Sequence, residues 1–185
     1  MVDLERSHPE ETPLSAPTFR ALFEAEFSYV FHTLRRLGVR DADLEDLTHD
    51  VFVTVYRSLP EYDPKRPLRP WLFGMAYRFA SDYRRLARHR REVVDDRRIE
   101  PVDASPSADE RLATEQARRL VIDALDAVDL DRRAVLVLHD IDGHTMPEIA
   151  QALAIPVNTA YSRLRLAREQ FRASVQRIQL RRGER

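Results

Sequence analysis

Apolar residues return every three or four positions through most of the chain, and nowhere do they alternate singly over the length of a strand. That rhythm predicts helices. Phe19, Leu22, Phe23, Phe27, Val30, Phe31, Leu34 and Leu37 form a first stripe, closed by Gly38, a residue suited to the positive φ of a helix end. Leu44, Leu47, Val51, Val55 and Leu59 form a second, which Asp41 or Asp43 can cap and Pro60 ends. Its other face carries Glu45, Asp46, His49 and Asp50. Prolines 64, 67 and 70 stiffen the way into a third helix, with Trp71, Leu72, Met75, Ala76 and Phe79 inside and Arg78, Arg84, Arg85 and Arg88 outside.

The period then lapses. Residues 97 to 108 hold two prolines and no apolar stripe, which predicts a flexible linker, placed at 95–107, between domains at 17–94 and 108–178. Ser107 and Glu110 make a capping box for a helix with Leu112, Leu120, Val121, Ala124, Leu125 and Val128 inside. Asp131 can cap a short helix from Ala134 to His139, before Gly143. In TMPEIAQALAIPVNTAYSRLRLAR, residues 145 to 168, Thr145 and Glu148 repeat the capping box and Pro147 fits the first turn. Pro156 disfavours helical geometry at Ile155, so a tight turn separates this helix from the next. Val157, Ala160, Leu164, Ala167 and Phe171 line the inner face of that last helix. The prediction is an all-α chain: a three-helix domain, a linker, and a four-helix domain ending in a helix-turn-helix. The polar or basic ends, 1–16 and 176–185, are expected to be mobile.

Charge sharpens this picture. A net charge of −1 over 185 residues hides blocks of −7 (residues 1–64), +7 (65–98), −6 (99–144) and +5 (145–185). Two discrete basic surfaces suit nucleic acid, while two acidic ones would repel it and need other partners. Mutual neutralisation within the fold is the plainer alternative. The absence of cysteine excludes disulfides and thiolate metal sites, and His8, His32, His49, His89, His139 and His144 form no ligand-like cluster. No apolar run nears the roughly 20 residues of a membrane span, and the N-terminus has no signal-peptide pattern, so a cytoplasmic protein without membrane insertion is expected.

Three stretches together carry a family likeness: DLEDLTHDVFVTVYRSL (43–59), RPWLFGMAYRFASDYRR (69–85) and the terminal helices from 128 to 169. In this order and spacing they resemble the extracytoplasmic-function sigma factors, the small two-domain members of the sigma-70 family. The resemblance spans most of residues 17 to 175. It implies a region 2-like domain, a region 4-like domain, and a subunit that brings core RNA polymerase to promoters. Asp46, Leu47, Thr48, His49, Asp50 and Phe52 match the stretch that docks on the clamp helices of the polymerase β′ subunit; region 4 would meet the β flap. Lys65, Arg66, Arg69, Trp71, Tyr77, Arg78, Ser81, Asp82 and Arg85 match the reader of the minus-ten element, where cations hold backbone and flat side chains receive unstacked bases. Trp71 also belongs to the inward stripe, so packing competes with base contact for it.

Asn158, Thr159, Tyr161, Ser162, Arg163, Arg165 and Arg168 match the major-groove reader of the minus-thirty-five element. Ser162 and Arg165 are placed for base edges, Arg163 and Arg168 for phosphate. Three positions depart from the family. Arg78 stands where Asn is frequent, Tyr161 where Lys or Arg is usual, and Ala154 where the turn has Gly. The likeness further implies an anti-sigma factor as partner, and no cofactor, metal or small-molecule substrate. The sequence holds no phosphate loop or nucleophile elbow, so no catalytic residue is assigned and the polymerase would supply the chemistry. A helix-turn-helix regulator binding duplex DNA without polymerase is the main rival, and an acidic helical adaptor the second.

Overall fold

A computed structural model describes residues 18–93 and 109–183. Among them every regular element is helical, and seven α-helices follow one another. In the N-terminal half, α1 (Phe19–Arg36), α2 (Leu44–Ser58) and α3 (Leu68–Val93) pack together around Leu22, Val30, Leu34, Val51, Phe52, Val55, Leu72, Phe73 and Ala76. The C-terminal half holds α4 (Asp109–Asp126), α5 (Leu130–Leu136), α6 (Met146–Ala152) and α7 (Val157–Gly183). The expected linker, both ends of the proposed N-terminal domain, the Ser107 cap and the Arg88 side chain lie outside the described residues.

Gly38 ends α1 with φ +90, and its amide and that of Val39 donate to the carbonyls of Arg35 and Leu34. Only a residue without Cβ enters that geometry freely. Thr145 and Glu148 form the expected capping box at the start of α6, the Glu148 carboxylate accepting from the Thr145 amide at 2.9 Å. Hydrogen-bond donors at the helix start hold that carboxyl below the usual carboxylate range.

Four local readings need correction. Asp43 occupies the N-cap of α2 without making the capping bond; its Oδ2 accepts instead from Arg40 and from the Tyr83 hydroxyl. Asp131 lies inside the first turn of α5, whose N-cap is Asp129, and it too serves a distant tyrosine. The short helix there begins earlier than expected and continues as a π turn through Val137–Ile141. Finally, α7 leaves no loose tail at 176 but runs to Gly183, with Ser174 buried and Phe171 packed against the core.

The two halves touch directly, whereas the sequence reading treats them as modules joined only by a linker. One apolar core runs through both, with α3 against α6 and α1 against α4. At the crossing of α3 and α6, a Cβ on Gly74 would lie 2.5 Å from the Ala152 carbonyl oxygen, so glycine sets how closely these helices approach. Arg133 is fully buried beside Gly38, donating to the Val128 carbonyl, the Arg36 carbonyl and, at 2.8 Å, Asp126. Burial lowers the Arg133 pKa to about 10, with Asp126 opposing that shift. A buried guanidinium persists only where each side finds an acceptor, and both halves supply one.

Candidate polymerase and nucleic-acid interfaces

Helix α2 divides its residues cleanly. Leu44, Thr48, Val51, Phe52 and Val55 face the core, and Asp46, His49 and Asp50 face solvent, with Leu47 half-buried. Phe52, expected to supply a partner contact, is 1% exposed and packs with Phe23 at 4.8 Å and Phe27 at 6.1 Å between ring centroids. Its contribution is therefore to set the height and tilt of the acidic face above it. Thr48 is equally buried, its hydroxyl donating to the Leu44 carbonyl.

Two residues that sequence reasoning missed complete this surface. Val53 is 48% exposed and Tyr56 62%, and they continue the helical steps from Asp46, His49 and Asp50. The Tyr56 ring stands edge-on to Phe19 at 5.0 Å. An acidic stripe that ends in an exposed valine and tyrosine has the composition of a protein-docking face: charge for orientation and an aromatic for contact area. The visible signal was the three- and four-residue spacing itself, applied to apolar residues that do not belong to the inward stripe.

The basic set on the loop before α3 and on α3 itself is spread over that surface rather than gathered at one point. Lys65 and Arg66 are exposed on the loop, where the Lys65 amide donates to Asp63 and the Arg66 carbonyl accepts from Tyr62. Trp71 is half-buried against Tyr62, ring centroids 4.6 Å apart, so packing takes part of its surface. Arg69 is committed to Glu26 at 3.1 Å and lies over the Tyr29 ring. Arg78 is exposed, Ser81 half-buried, and Arg85 pairs with Asp82 at 3.2 Å. The Tyr77 hydroxyl donates to Asp131 at 2.8 Å, and burial together with that carboxylate pushes its pKa up to about 12.

On α7, Asn158, Tyr161 and Ser162 are exposed and Thr159 half-buried. The Ser162 hydroxyl donates to the Thr159 carbonyl. All three arginines carried over from the family are ion-paired: Arg163 with Asp131 at 3.0 Å, Arg165 with Glu169 at 2.8 Å, and Arg168 with both oxygens of Asp140 at 2.6 and 2.9 Å. Arg168 holds the Asp140 carboxyl below its usual range. The turn before α7 places Ala154 at φ 53, the left-handed region that the sequence reading associated with glycine.

The candidate residues of α3 and those of α7 border a shared groove of about 1090 Å³, lined in part by Ser81, Arg85, Asp131, Thr159, Ser162 and Arg163. Asp131 sits at its wall and receives Tyr77 from one half and Arg163 from the other. Asp142 plays a like part away from the groove, accepting from Tyr29 at 2.8 Å and Arg36 at 3.2 Å with only 7% of its side chain exposed. Burial and that carboxylate raise the Tyr29 pKa. The Asp140–Gly143 run is thus an interhelix anchor, and no group of three or more metal-ligating side chains occurs among the described residues. Nor is any described helix long and apolar enough to cross a membrane.

Known proteins show the same organisation. Residues 22–91 match the family model for sigma-70 region 2, and residues 118–171 match that for sigma-70 region 4. The RNA polymerase sigma factor CnrH of Cupriavidus metallidurans is 27% identical over 75% of this chain and 76% of its own length. The ECF RNA polymerase sigma factor SigE of Mycolicibacterium smegmatis is 31% identical over 84% of this chain and 61% of its own. A solved structure of CnrH in complex with the cytosolic domain of CnrY superposes with a TM-score of 0.61 at 27% identity, covering 85% of this chain and 87% of that one. With both sigma regions matched in order, the chain belongs to the sigma-70 family as an extracytoplasmic-function RNA polymerase sigma factor, a polymerase-associated protein that directs transcription initiation.

Proposed function

We propose that residues 17–94 form the unit that binds core polymerase and the minus-ten element, and residues 108–178 the unit that reads the minus-thirty-five element, with 95–107 between them. The observation that carries this reading is the exposed acidic and apolar stripe of α2, set beside a basic α3 in the same half and a capped helix-turn-helix in the other. Asp46, His49 and Asp50, with Leu47, Val53 and Tyr56, meet the β′ clamp helices, while the C-terminal half meets the β flap. Carboxylates repel DNA and attract the basic groups of a protein partner, so this face belongs to the polymerase.

Lys65, Arg66, Arg78 and Arg85 hold the backbone of the opened strand, and Tyr77 and the exposed part of Trp71 lie near its bases. Asn158, Thr159, Tyr161, Ser162 and Arg165 enter the major groove, and Arg163 and Arg168 hold phosphate once released from Asp131 and Asp140. The factor acts in the cytoplasm by binding and strand opening, without covalent chemistry of its own. An anti-sigma factor is its expected antagonist; CnrH, whose fold it shares, is itself solved with the cytosolic domain of CnrY.

Transcription reconstituted with sigma-free core polymerase on a genomic promoter library tests the whole reading. Addition of the chain is expected to produce a defined set of start sites, and unchanged start sites with folded protein would reject it. Exchanging Asp46 and Asp50 together for Arg is expected to weaken capture of core polymerase at least tenfold. Both side chains are exposed, so thermal stability should move little. Equal capture by the folded double variant would reject the docking assignment.

A further inference from the structure

We propose that the groove bordered by α3, α5 and α7 is a binding site for a small phosphorylated nucleoside, of the nucleoside di- or triphosphate class. Its volume, about 1090 Å³, is on the scale of a small-ligand pocket and not of a duplex site. Among the described residues its charged lining is Arg84, Arg85, Arg132 and Arg163 against Asp129 and Asp131, an excess of two positive charges. The arginines come from three helices, so an anion between them is met from more than one side. Guanidinium groups take phosphate oxygens in pairs.

Arg85, Arg132 and Arg163 are held by carboxylates that water reaches. Arg85 meets Asp82 at 3.2 Å, Arg132 meets Asp129 at 3.2 Å and Arg163 meets Asp131 at 3.0 Å, while these carboxylates stay 67%, 68% and 54% exposed. Ion pairs so open to solvent hold little, and a phosphate chain of higher charge displaces the carboxylate. The rest of the lining separates a nucleoside from a bare anion. Leu86 is 58% exposed and belongs neither to the core nor to the assigned interfaces; with Leu130 and Leu166 it gives the groove an apolar lining that a flat base covers and an inorganic ion does not. Asp129 and Asp131 repel phosphate placed against them, yet each carboxylate has lone pairs left for the hydroxyls of a sugar. Ring, diol and phosphate chain thus each find a matching part of the groove.

Calorimetric titration of the full chain with ATP, with GTP and with inorganic pyrophosphate tests the assignment. Saturable one-to-one binding of at least one nucleotide is expected, tighter than pyrophosphate. Arg132→Gln should weaken nucleotide and pyrophosphate alike, by about tenfold, because it removes a phosphate partner. Leu86→Ala should weaken the nucleotide by about fivefold and leave pyrophosphate unmoved, because it removes only apolar cover. Alanine keeps the helix and Leu86 is exposed, so this variant folds even if Arg132→Gln does not.

No saturable binding of either nucleotide at millimolar concentration would overturn the proposal, as would binding unmoved by both folded variants. Pyrophosphate bound as tightly as the nucleotides would reduce the groove to an unselective anion patch. A short single-stranded oligonucleotide that binds with the same dependence on Arg132 and Leu86, where ATP and GTP fail, would make it a strand site instead. Thr159, Ser162 and Arg163 also line the groove, so saturating nucleotide is expected to weaken binding of a minus-thirty-five duplex about tenfold; this last step rests on the reading of α7 proposed above. Absence of any duplex binding would sink that reading and leave the calorimetric result standing, whereas duplex binding indifferent to bound nucleotide would place the nucleotide outside the groove.

Discussion

At the scale of single residues, Ala154 is the clearest case of local strain. Its φ of 53 puts a Cβ where only glycine sits without cost, and an L-residue pays about 1–2 kcal/mol there. Ala154→Gly removes that strain while adding some freedom to the unfolded chain, so a net gain of roughly 0.5–1 kcal/mol is expected. A higher midpoint in urea at unchanged slope checks it. This strain was foreseeable, because Ala stood where the family's turn has Gly. The roles of Asp43 and Asp131 were not, although both were recognised as helix-start residues. Their true partners, Tyr83 and Tyr77, lie 40 and 54 residues away, and no local pattern announces a bond across such a distance. Phe52 failed for a related reason. Its position one step from the inward stripe is compatible with either face, and the aromatic cluster of α1 decides the matter.

At the scale of elements, periodicity located each of the seven α-helices among the described residues, since each must bury one stripe against the others. The capping box of α6 was legible too, because its bonds close within three residues. The length of α7 was not, for its last turns carry mostly arginine and glutamine outward and depend on Phe171 and Ser174 packing inward. The Arg168–Asp140 pair adds an ionic tie to the apolar packing of Leu164 and Ala167 in the middle of α7. The Asp140 carboxyl is held below its ordinary 3.8 first by the Arg168 hydrogen bond. A depressed carboxylate contributes stability that is present above its unfolded pKa and lost as pH falls through the lower folded value. Both side chains are about a third exposed, so solvent screening limits the pair to about 0.5–1 kcal/mol. Asp140→Asn is therefore expected to lower the melting temperature by a few degrees at pH 7. That gap should shrink as pH falls below 3.8; a constant gap across the range would mean that the pair acts by shape and not by charge.

At the scale of the whole molecule, the alternation of acidic and basic blocks pointed to two partners of opposite charge, but it concealed how the blocks meet. The acidic 99–144 segment supplies Asp131 and Asp140 to the arginines of α7, so part of the neutralisation that segregated charge invites takes place inside the protein. A positive charge already held by a carboxylate displaces no counterion when it meets a phosphate unless that pair first breaks. Salt dependence therefore measures how many arginines are free to reach DNA. Each phosphate contact contributes about −0.9 to the slope of log affinity against log salt on B-form DNA. Asp131→Asn leaves the acceptor's shape but removes its charge, freeing Arg163 from its ion pair and loosening Tyr77 together. Binding of the isolated chain to a minus-thirty-five duplex should then strengthen at low salt, with a slope steeper by about 0.9 if Arg163 alone gains a phosphate. An unchanged slope would show that Arg163 does not reach the backbone, and that Asp131 restrains the position of α7 rather than its charge.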